Sequence, residues 1–289
     1  MQDPFPYYSI GHFINQPDSK TAFEITRFEE MEEPEVDDVH KHTFYEILWV
    51  DEGKSRQTID YRSYDLGAGS LFFISPGQVH EFEEWQPLKG GTIMFTTDFF
   101  LLNQQNRNKL FELSFLDNFY GNPDLQPDDH DFHEIRHTID LLIHENKRAD
   151  RDPAILQSYL HVLVSQIQRS INTKVHHPLP SRHLVLFKEF QSRIEEKYRE
   201  NLTVSDYASH LNITQHHLNH VVKQVTGKTA TEVIRARSIL EARRFLTFTD
   251  HTVSQIAAEL GWYDSSYFTR LFRKETGMTP VEFRDRMSE

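Results

Sequence analysis

The chain has 289 residues, no cysteine and a formal net charge of −13, so disulfide bonds and thiolate sites are excluded and two domains are allowed. Its N-terminus, Met1–Pro4, lacks the basic and apolar stretches of a signal peptide, and its apolar runs are too short to cross a bilayer. We therefore expect a cytoplasmic protein without a membrane partner.

The first part of the chain, from residue 22 to residue 95, is predicted to form strands. Short apolar or alternating runs are separated by turn residues such as those of Asp51–Gly53 and Ser75–Gly77. Several short strands at this spacing are typical of a β-sandwich or a β-barrel. The predicted strands are Ala22–Ile25, Tyr45–Val50, Arg56–Tyr61, Leu71–Ile74 and Gly91–Phe95.

From Asp98 onward the apolar period becomes helical. One helix is predicted over Asp131–Glu145, and a second begins after an N-capping Asp152 with Pro153 at its first position. This second helix carries two apolar stripes, which are Leu156, Leu160, Leu163 and Ile167 on one side and Ile155, Tyr159 and Val162 beside it. Two interpretations stay open: an ordinary helix inside the domain, or a helix whose second stripe meets a partner subunit.

Residues 173–181 contain two prolines and no periodic pattern, and we interpret them as a linker. The charge changes at this boundary, because residues 1–180 carry 15 basic and 30 acidic side chains and residues 181–289 carry 16 and 14. The acidic first part disfavours contact with phosphate backbones. A nucleic-acid partner is therefore expected only for the residues after the linker, which have helical patterns throughout.

These C-terminal residues contain an internal duplication. Thr203–Ser205 recurs as Thr252–Ser254 at a shift of 49 residues, and Thr226–Gly227 recurs as Thr276–Gly277 at a shift of 50. Each copy has an N-capping threonine, an alanine where two helices must approach closely, and an asparagine or glycine for a tight turn. The repeat therefore predicts two helix-turn-helix units.

The second helix of each copy carries donors and cations opposite its buried stripe. A polar helix face that stands away from a small core suits the reading of a DNA major groove. A solvated helix face is the alternative, and its recurrence in two aligned copies favours DNA contact. The predicted DNA-contacting residues are His216, Asn219, His220 and Lys223 in the first copy and Ser266, Thr269, Arg270 and Arg273 in the second.

Between the two copies, Thr231–Thr247 is predicted to be a continuous helix that holds the two units roughly one DNA turn apart. Its arginines leave two interpretations open: contact with DNA phosphates, or a run that is solvated or ion-paired. They are Arg235, Arg237, Arg243 and Arg244.

Histidines and a glutamate form a second pattern in the N-terminal part. His40, His42 and Glu46 lie two and four residues apart, so a strand places them on one face, and the distant His80 can complete the set. Imidazoles and a carboxylate suit a divalent transition metal such as Fe, Mn, Ni, Cu or Zn. Three interpretations stay open: metal ligands, contacts to a small organic effector, and groups that only support the fold. Five aromatic residues are expected in the core or around a pocket beside this set: Trp49, Tyr61, Phe73, Phe82 and Trp85.

The C-terminal residues, about 184 to 283, resemble the DNA-binding domain of the AraC/XylS family of transcription regulators, most clearly over Ile256–Pro280. The resemblance implies a seven-helix domain with two recognition helices in adjacent major grooves, and contact with RNA polymerase. His216 and His220 depart from the larger or permanently cationic residues of many relatives. The histidine set and Pro76–His80 resemble the two cupin motifs, and sensor domains of this family commonly have a cupin-like barrel.

We therefore predict an α+β multidomain chain. It comprises a cupin-like, effector-sensing β-barrel with an N-terminal arm (1–97), a helical dimerisation segment packed on the barrel (98–172), the linker (173–181) and an all-α domain with two helix-turn-helix units (182–289). The predicted function is that of a homodimeric, sequence-specific regulator of transcription, not an enzyme, which binds double-stranded DNA and responds to a small molecule or a metal. The alternative is a metal-dependent cupin enzyme with an appended DNA-binding domain, which metal content and turnover without DNA would distinguish.

Overall fold

A computed structural model of the chain describes residues 4–102, 110, 113–116, 123–172 and 181–287. The chain forms two compact units, residues 1–176 and residues 177–289. The boundary falls within the predicted linker, of which residues 173–180 lie outside the described residues.

The N-terminal unit is rich in β-strands and ends in two long helices. Its strands are β1 (Tyr7–Tyr8), β2 (Phe23–Arg27), β3 (Lys41–His42), β4 (Tyr45–Glu52), β5 (Lys54–Ile59), β6 (Arg62–Gly67), β7 (Leu71–Ile74), β8 (His80–Phe82), β9 (Lys89–Phe95) and β10 (Asp124–Leu125). Its helices are α1 (Ile10–Phe13), α2 (Thr97–Leu101), α3 (Asp129–Asn146) and α4 (Pro153–Asn172), with short 3-10 turns at Phe28–Glu30 and Ser114–Leu116.

Two antiparallel sheets organise this unit. The larger has the strand order β10-β7-β4-β9-β2 and the smaller has the order β6-β5-β8, while β1 pairs in parallel with β3. In the centre of the larger sheet, Ile47 is in register with Phe73 on one side and Ile93 on the other. Because side chains alternate along a strand, Glu46 and Leu48 lie on the opposite face from these three.

The two faces of the larger sheet bury different cores. Ile47 and Trp49 belong to a cluster that includes side chains of α3 and α4. Leu48 and Val50 belong to a second cluster with Ile59 of the smaller sheet. The larger sheet therefore lies between the long helices and the smaller sheet, and the predicted β-rich N-terminal domain is confirmed.

Helix α4 separates its two apolar stripes. The first stripe is buried in the core, with Leu156, Leu160, Leu163 and Ile167 no more than 3% exposed. Ile155 and Val162 of the second stripe are 41% and 49% exposed, whereas Tyr159 is half-buried against the core. Packing within the unit therefore accounts for the first stripe and leaves two residues of the second facing outward.

The C-terminal unit is helical. Its helices are α5 (Ser181–Lys197), α6 (Val204–His210), α7 (Gln215–Thr226), α8 (Ala230–Phe248), α9 (Val253–Glu259), α10 (Ser265–Thr276) and α11 (Pro280–Met287), with a 3-10 turn at Tyr198–Glu200. Ser181, assigned to the linker by its sequence, begins α5. Among the described residues, no helix is long and apolar enough to span a bilayer.

Helix α8 contains a buried ionic cluster. Arg237 lies 2.7 Å from Glu195 and 2.8 Å from Glu241, and Arg244 lies 2.9 Å from Glu241. Arg237, Glu241 and Arg244 are at most 4% exposed, and the Arg237 guanidinium lies over the ring of Tyr198 at 4.0 Å. Burial by itself would lower the pKa of Arg237, but the carboxylates of Glu195 and Glu241 raise it well above its ordinary value. For Arg237 and Arg244 the ion-pair interpretation is correct, and phosphate contact is excluded by their burial.

Candidate functional site

The N-terminal unit contains a cavity between its two sheets and the acidic segment that precedes β3. Strand alternation directs Glu46 and Leu48 of β4, Gln57 of β5 and Thr92 of β9 into its lining. His40 and His80 form a β-bridge with each other and also line the cavity. The cavity has a volume of about 200 Å3 and opens to solvent.

The structure brings the four residues of the predicted His/Glu set together. The ring centroid of His80 lies 4.3 Å from that of His40 and 4.9 Å from that of His42. Glu46 Oε2 lies 3.4 Å from His42 Nε2 and 4.0 Å from His80 Nε2, while its Oε1 accepts a hydrogen bond from Thr92 at 2.7 Å. All four residues are buried, at most 7% exposed.

Burial disfavours the charged forms of His40 and His80. Desolvation and the neighbouring His42 lower the pKa of His40, and desolvation with the charges of His40 and His42 lowers the pKa of His80 well below its ordinary value. Both rings have a defined tautomer, because Nδ1 of His40 lies 2.7 Å from the carbonyl oxygen of Asp37 and Nδ1 of His80 lies 3.3 Å from that of Gln78. A carbonyl only accepts, so each Nδ1 carries the proton and each Nε2 presents a lone pair.

Three members of the set have the spacing of metal ligands. Candidate ligand atoms of His42, Glu46 and His80 all lie within 4.8 Å of one another, and neither ring nitrogen of His42 has a hydrogen-bond partner in the described part of the chain. A metal with bonds of about 2.1 Å needs its ligand atoms only slightly closer together. The three side chains therefore fit a divalent transition metal after small rotations, and His40 lies beside this group.

Four of the five predicted aromatic residues divide between core and cavity, whereas Tyr61 is half-buried in the turn between β5 and β6 and does not line the cavity. Trp49 and Phe73 are buried on the helix-facing side of the larger sheet, away from the histidines. Phe82 and Trp85 line the cavity, together with Phe13 and Phe28, which the sequence analysis did not select. Gln57 was also missed, although its position two residues before the buried Ile59 of the same strand indicates an inward side chain.

The two C-terminal copies have the same helix-turn-helix geometry. Thr203 caps α6 and Thr252 caps α9 through capping boxes, and Thr214 and Asp264 cap the second helices. The turn residues Asn212 and Gly261 have φ angles of 54° and 76°, which are the left-handed conformations expected from the sequence. At Gly261 any Cβ would lie 2.2 Å from the carbonyl oxygen of Arg199, so glycine is also required by close packing.

The second helices, α7 and α10, bury one face and expose the other. Leu218, Val221 and Val222 are buried in α7, as are Phe268, Leu271 and Phe272 in α10. Six of the eight predicted DNA-contacting side chains are exposed, namely His216, His220, Lys223, Ser266, Arg270 and Arg273. The exposed face therefore offers two histidines and a lysine in the first copy and a serine and two arginines in the second.

The remaining two predicted residues are bonded within the unit. Asn219 is half-buried, and its Oδ1 accepts a hydrogen bond from the backbone N–H of Ala230 at 3.1 Å. The hydroxyl of Thr269 donates to the carbonyl oxygen of Ser265 at 2.8 Å. Helical spacing places Asn219 and Thr269 on the flank of the polar face, beside the buried stripe, and both are half-buried there.

Comparisons with known proteins match both units. The AraC-like ligand binding domain matches residues 24–164, and a helix-turn-helix domain matches residues 207–286. The HTH-type transcriptional activator RhaR of Cronobacter sakazakii is 25% identical over 254 residues, which cover 85% of this chain and 86% of that protein. The RhaR activator of an Enterobacter species is 22% identical over 247 residues, which cover 86% of each protein. The solved structure of ToxT from Vibrio cholerae is 14% identical, with a TM-score of 0.40 over 92% of this chain and 98% of that one.

Proposed function

The chain belongs to the AraC family of DNA-binding transcription regulators, and from that premise we propose that a small molecule held in its N-terminal cavity controls its binding to specific DNA sites. The observation that carries the proposal is the joining, in one chain, of a cavity with buried polar side chains and two matched helix-turn-helix copies. The relatives carry the names of transcriptional activators.

Base reading is assigned to the exposed side chains of α7 and α10. His216, His220 and Lys223 face one groove, and Ser266, Arg270 and Arg273 face the next. Arg270 is expected to contribute most to base specificity, because an arginine can donate two hydrogen bonds to a guanine edge. Asn219 and Thr269 act from the flank by fixing the helices, since their polar groups are bonded within the unit.

Selection of bound duplexes from random-sequence DNA tests this assignment. Arg270→Ala should weaken binding to the selected site by about 1–3 kcal/mol and relax the base preference at one position. Arg286→Ala is the matched control, because Arg286 is equally exposed but lies on α11 outside both second helices. If the wild-type chain selects no common sequence, or if Arg286→Ala has the same effect as Arg270→Ala, the assignment is wrong.

The effector site is assigned to the cavity that His40, Glu46 and His80 line, with His42 packed behind it. A divalent transition metal held by His42, Glu46 and His80 is the second candidate, supported by the spacing of their ligand atoms. In either case the effector alters DNA binding only if it binds the DNA-competent state with a different affinity from the other state.

The assembly that we propose is a cytoplasmic homodimer that contacts RNA polymerase at its DNA site. The exposed Ile155 and Val162 on α4 are the candidate dimer contact. A metal-dependent cupin enzyme remains the alternative function, and the regulator is favoured because the matched relatives are transcriptional regulators.

A further inference from the structure

We propose that the N-terminal cavity is selective for a compact organic cation, a small molecule that bears an ammonium or guanidinium group. The inference rests on the proposed function, in which the same cavity holds the effector. It names the chemical class of that effector, and it follows from the polarity of the inner wall, the charge of the rim and the aromatic side chains between them.

The inner wall presents hydrogen-bond acceptors. Gln57 is 1% exposed, and its Oε1 has no hydrogen-bond partner among the described residues. His40 donates from Nδ1 to backbone carbonyls, so its buried Nε2, which likewise has no partner within the described chain, is a second acceptor. The carboxylate of Glu46 is the third. A buried acceptor without a donor is unfavourable, and the N–H groups of a ligand would satisfy Gln57 and His40. Glu46, whose Oε1 already accepts from Thr92, adds a negative charge beside them.

The charge of the cavity has one sign. Glu33, Asp37, Asp38 and Glu83 lie at its exposed rim, and its described lining includes no lysine or arginine. An anionic ligand would be repelled by this arrangement, and a cation would be attracted.

An aromatic wall separates the rim from the acceptors. The ring of Phe28 lies 6.2 Å from that of Phe82 and 6.5 Å from that of Trp85. Rings grouped in this way bind ammonium groups through cation–π attraction, which neutral isosteres lack. The cavity of about 200 Å3 is also larger than a single metal ion requires, and its size suits a compact organic ligand.

Matched pairs of ligands test the charge requirement on the full chain. The probes are choline against 3,3-dimethyl-1-butanol and 1,4-diaminobutane against 1,4-butanediol, each at about 10 mM and constant ionic strength. At least one cation should raise the Tm by about 3 °C or more, by mass action, while its neutral partner leaves the Tm unchanged. Zinc and manganese chlorides are added separately as metal probes.

Variants locate the effect. Glu46→Gln should abolish the shift caused by the cation, and Trp85→Leu should reduce it, because each removes one source of attraction. Glu52→Gln is the matched control: Glu52 lies on the same strand, is exposed, pairs with Lys89 and is outside the cavity lining. The shift should survive in this control.

Three results would overturn the proposal: equal shifts from a cation and its neutral partner, a shift from the metals alone, or no shift from any probe. Fluorescence anisotropy on the selected DNA site, measured with the same preparations, separates this failure from failure of the proposed function. A chain that binds DNA but no cation disproves only the ligand class. A chain that binds a cation but no DNA disproves only the proposed function in transcription regulation.

Discussion

At the scale of single residues, the ionic cluster of α8 makes the loss of one buried charge costly. Glu241 is fully buried between Arg237 and Arg244. Replacing Glu241 by glutamine removes the charge that the two guanidiniums share, and we expect a loss of about 3–5 kcal/mol, the range for breaking a buried ion pair. Urea unfolding followed by circular dichroism at the helical band measures this loss.

The matched control for that substitution is Glu196→Gln. Glu196 pairs with Arg193 at 2.8 Å on the surface of α5, where solvent screens the charges, so its loss should cost less than about 1 kcal/mol. Equal unfolding midpoints for the two variants would show that the cluster does not stabilise the unit.

The sequence identified these arginines but could not decide their environment. Arg237 and Glu241 are four residues apart, which is also the spacing of an ordinary surface pair on a helix. They are buried because α8 lies between the two helix-turn-helix copies and is covered on several sides, with buried residues around most of its circumference. A helix of this kind has no single apolar stripe by which its burial could be predicted.

Asn219 gives a second prediction at the residue scale. Because its Oδ1 accepts the hydrogen bond of Ala230, the first residue of α8, Asn219→Ala should lower the free energy of unfolding by about 1 kcal/mol and leave base preference unchanged. Thermal unfolding and DNA selection on the same variant check both parts. Arg270→Ala should behave in the opposite way, and a change in base preference for Asn219→Ala would make that residue a base reader.

At the scale of elements, the two copies were predicted more accurately than the sheets. Thr203, Thr252 and the turn residues mark the ends of their helices by local chemistry, so the helix bounds follow from the sequence. Strand β6 was missed because most of its six residues are not apolar, and strand β8 was missed because it has only three residues. The cavity could be predicted only in part, since His40, His42, Glu46 and His80 form a recognisable pattern whereas Phe13 and Phe28 come from segments without one.

The prediction at the scale of elements is that helix α4 forms the dimer contact. Glutamates at both Ile155 and Val162 should convert the homodimer into a folded monomer, because these side chains are exposed and apolar in the isolated chain. Light scattering after size-exclusion chromatography measures the mass, and unchanged circular dichroism shows that the fold is kept. Leu156→Glu should instead unfold the N-terminal unit, since Leu156 is 3% exposed in the core.

Val281→Glu is the control for the α4 substitutions. Val281 is 58% exposed on α11, so a charge there should change neither the mass nor the fold. If the doubly substituted chain stays dimeric, the interface lies elsewhere. If the wild-type chain is a monomer, the proposed homodimer is wrong.

At the scale of the whole molecule, the C-terminal unit fixes two DNA-reading surfaces relative to each other. Helix α8 has 19 residues and is therefore about 28 Å long, close to one turn of DNA. The contact of Gly261 with the carbonyl oxygen of Arg199 adds a second connection between the copies, as does the pair of Arg199 and Glu259 at 4.0 Å. Two surfaces held in this way require half-sites about 10–10.5 base pairs apart.

Inserting about five base pairs between the two contacted grooves should therefore reduce affinity to that of a single copy. The insertion rotates one half-site to the opposite side of the DNA, beyond the reach of a copy fixed to α8. Fluorescence anisotropy with the selected duplex and its altered form measures the loss, and the same insertion outside both grooves is the control that should bind normally. The affinity of the Arg270→Ala variant for the altered duplex shows which copy still binds. The substitution weakens this binding only if α10 occupies the remaining half-site. Undiminished binding to the altered duplex would mean that only one helix-turn-helix contacts DNA, whatever the symmetry of the duplication.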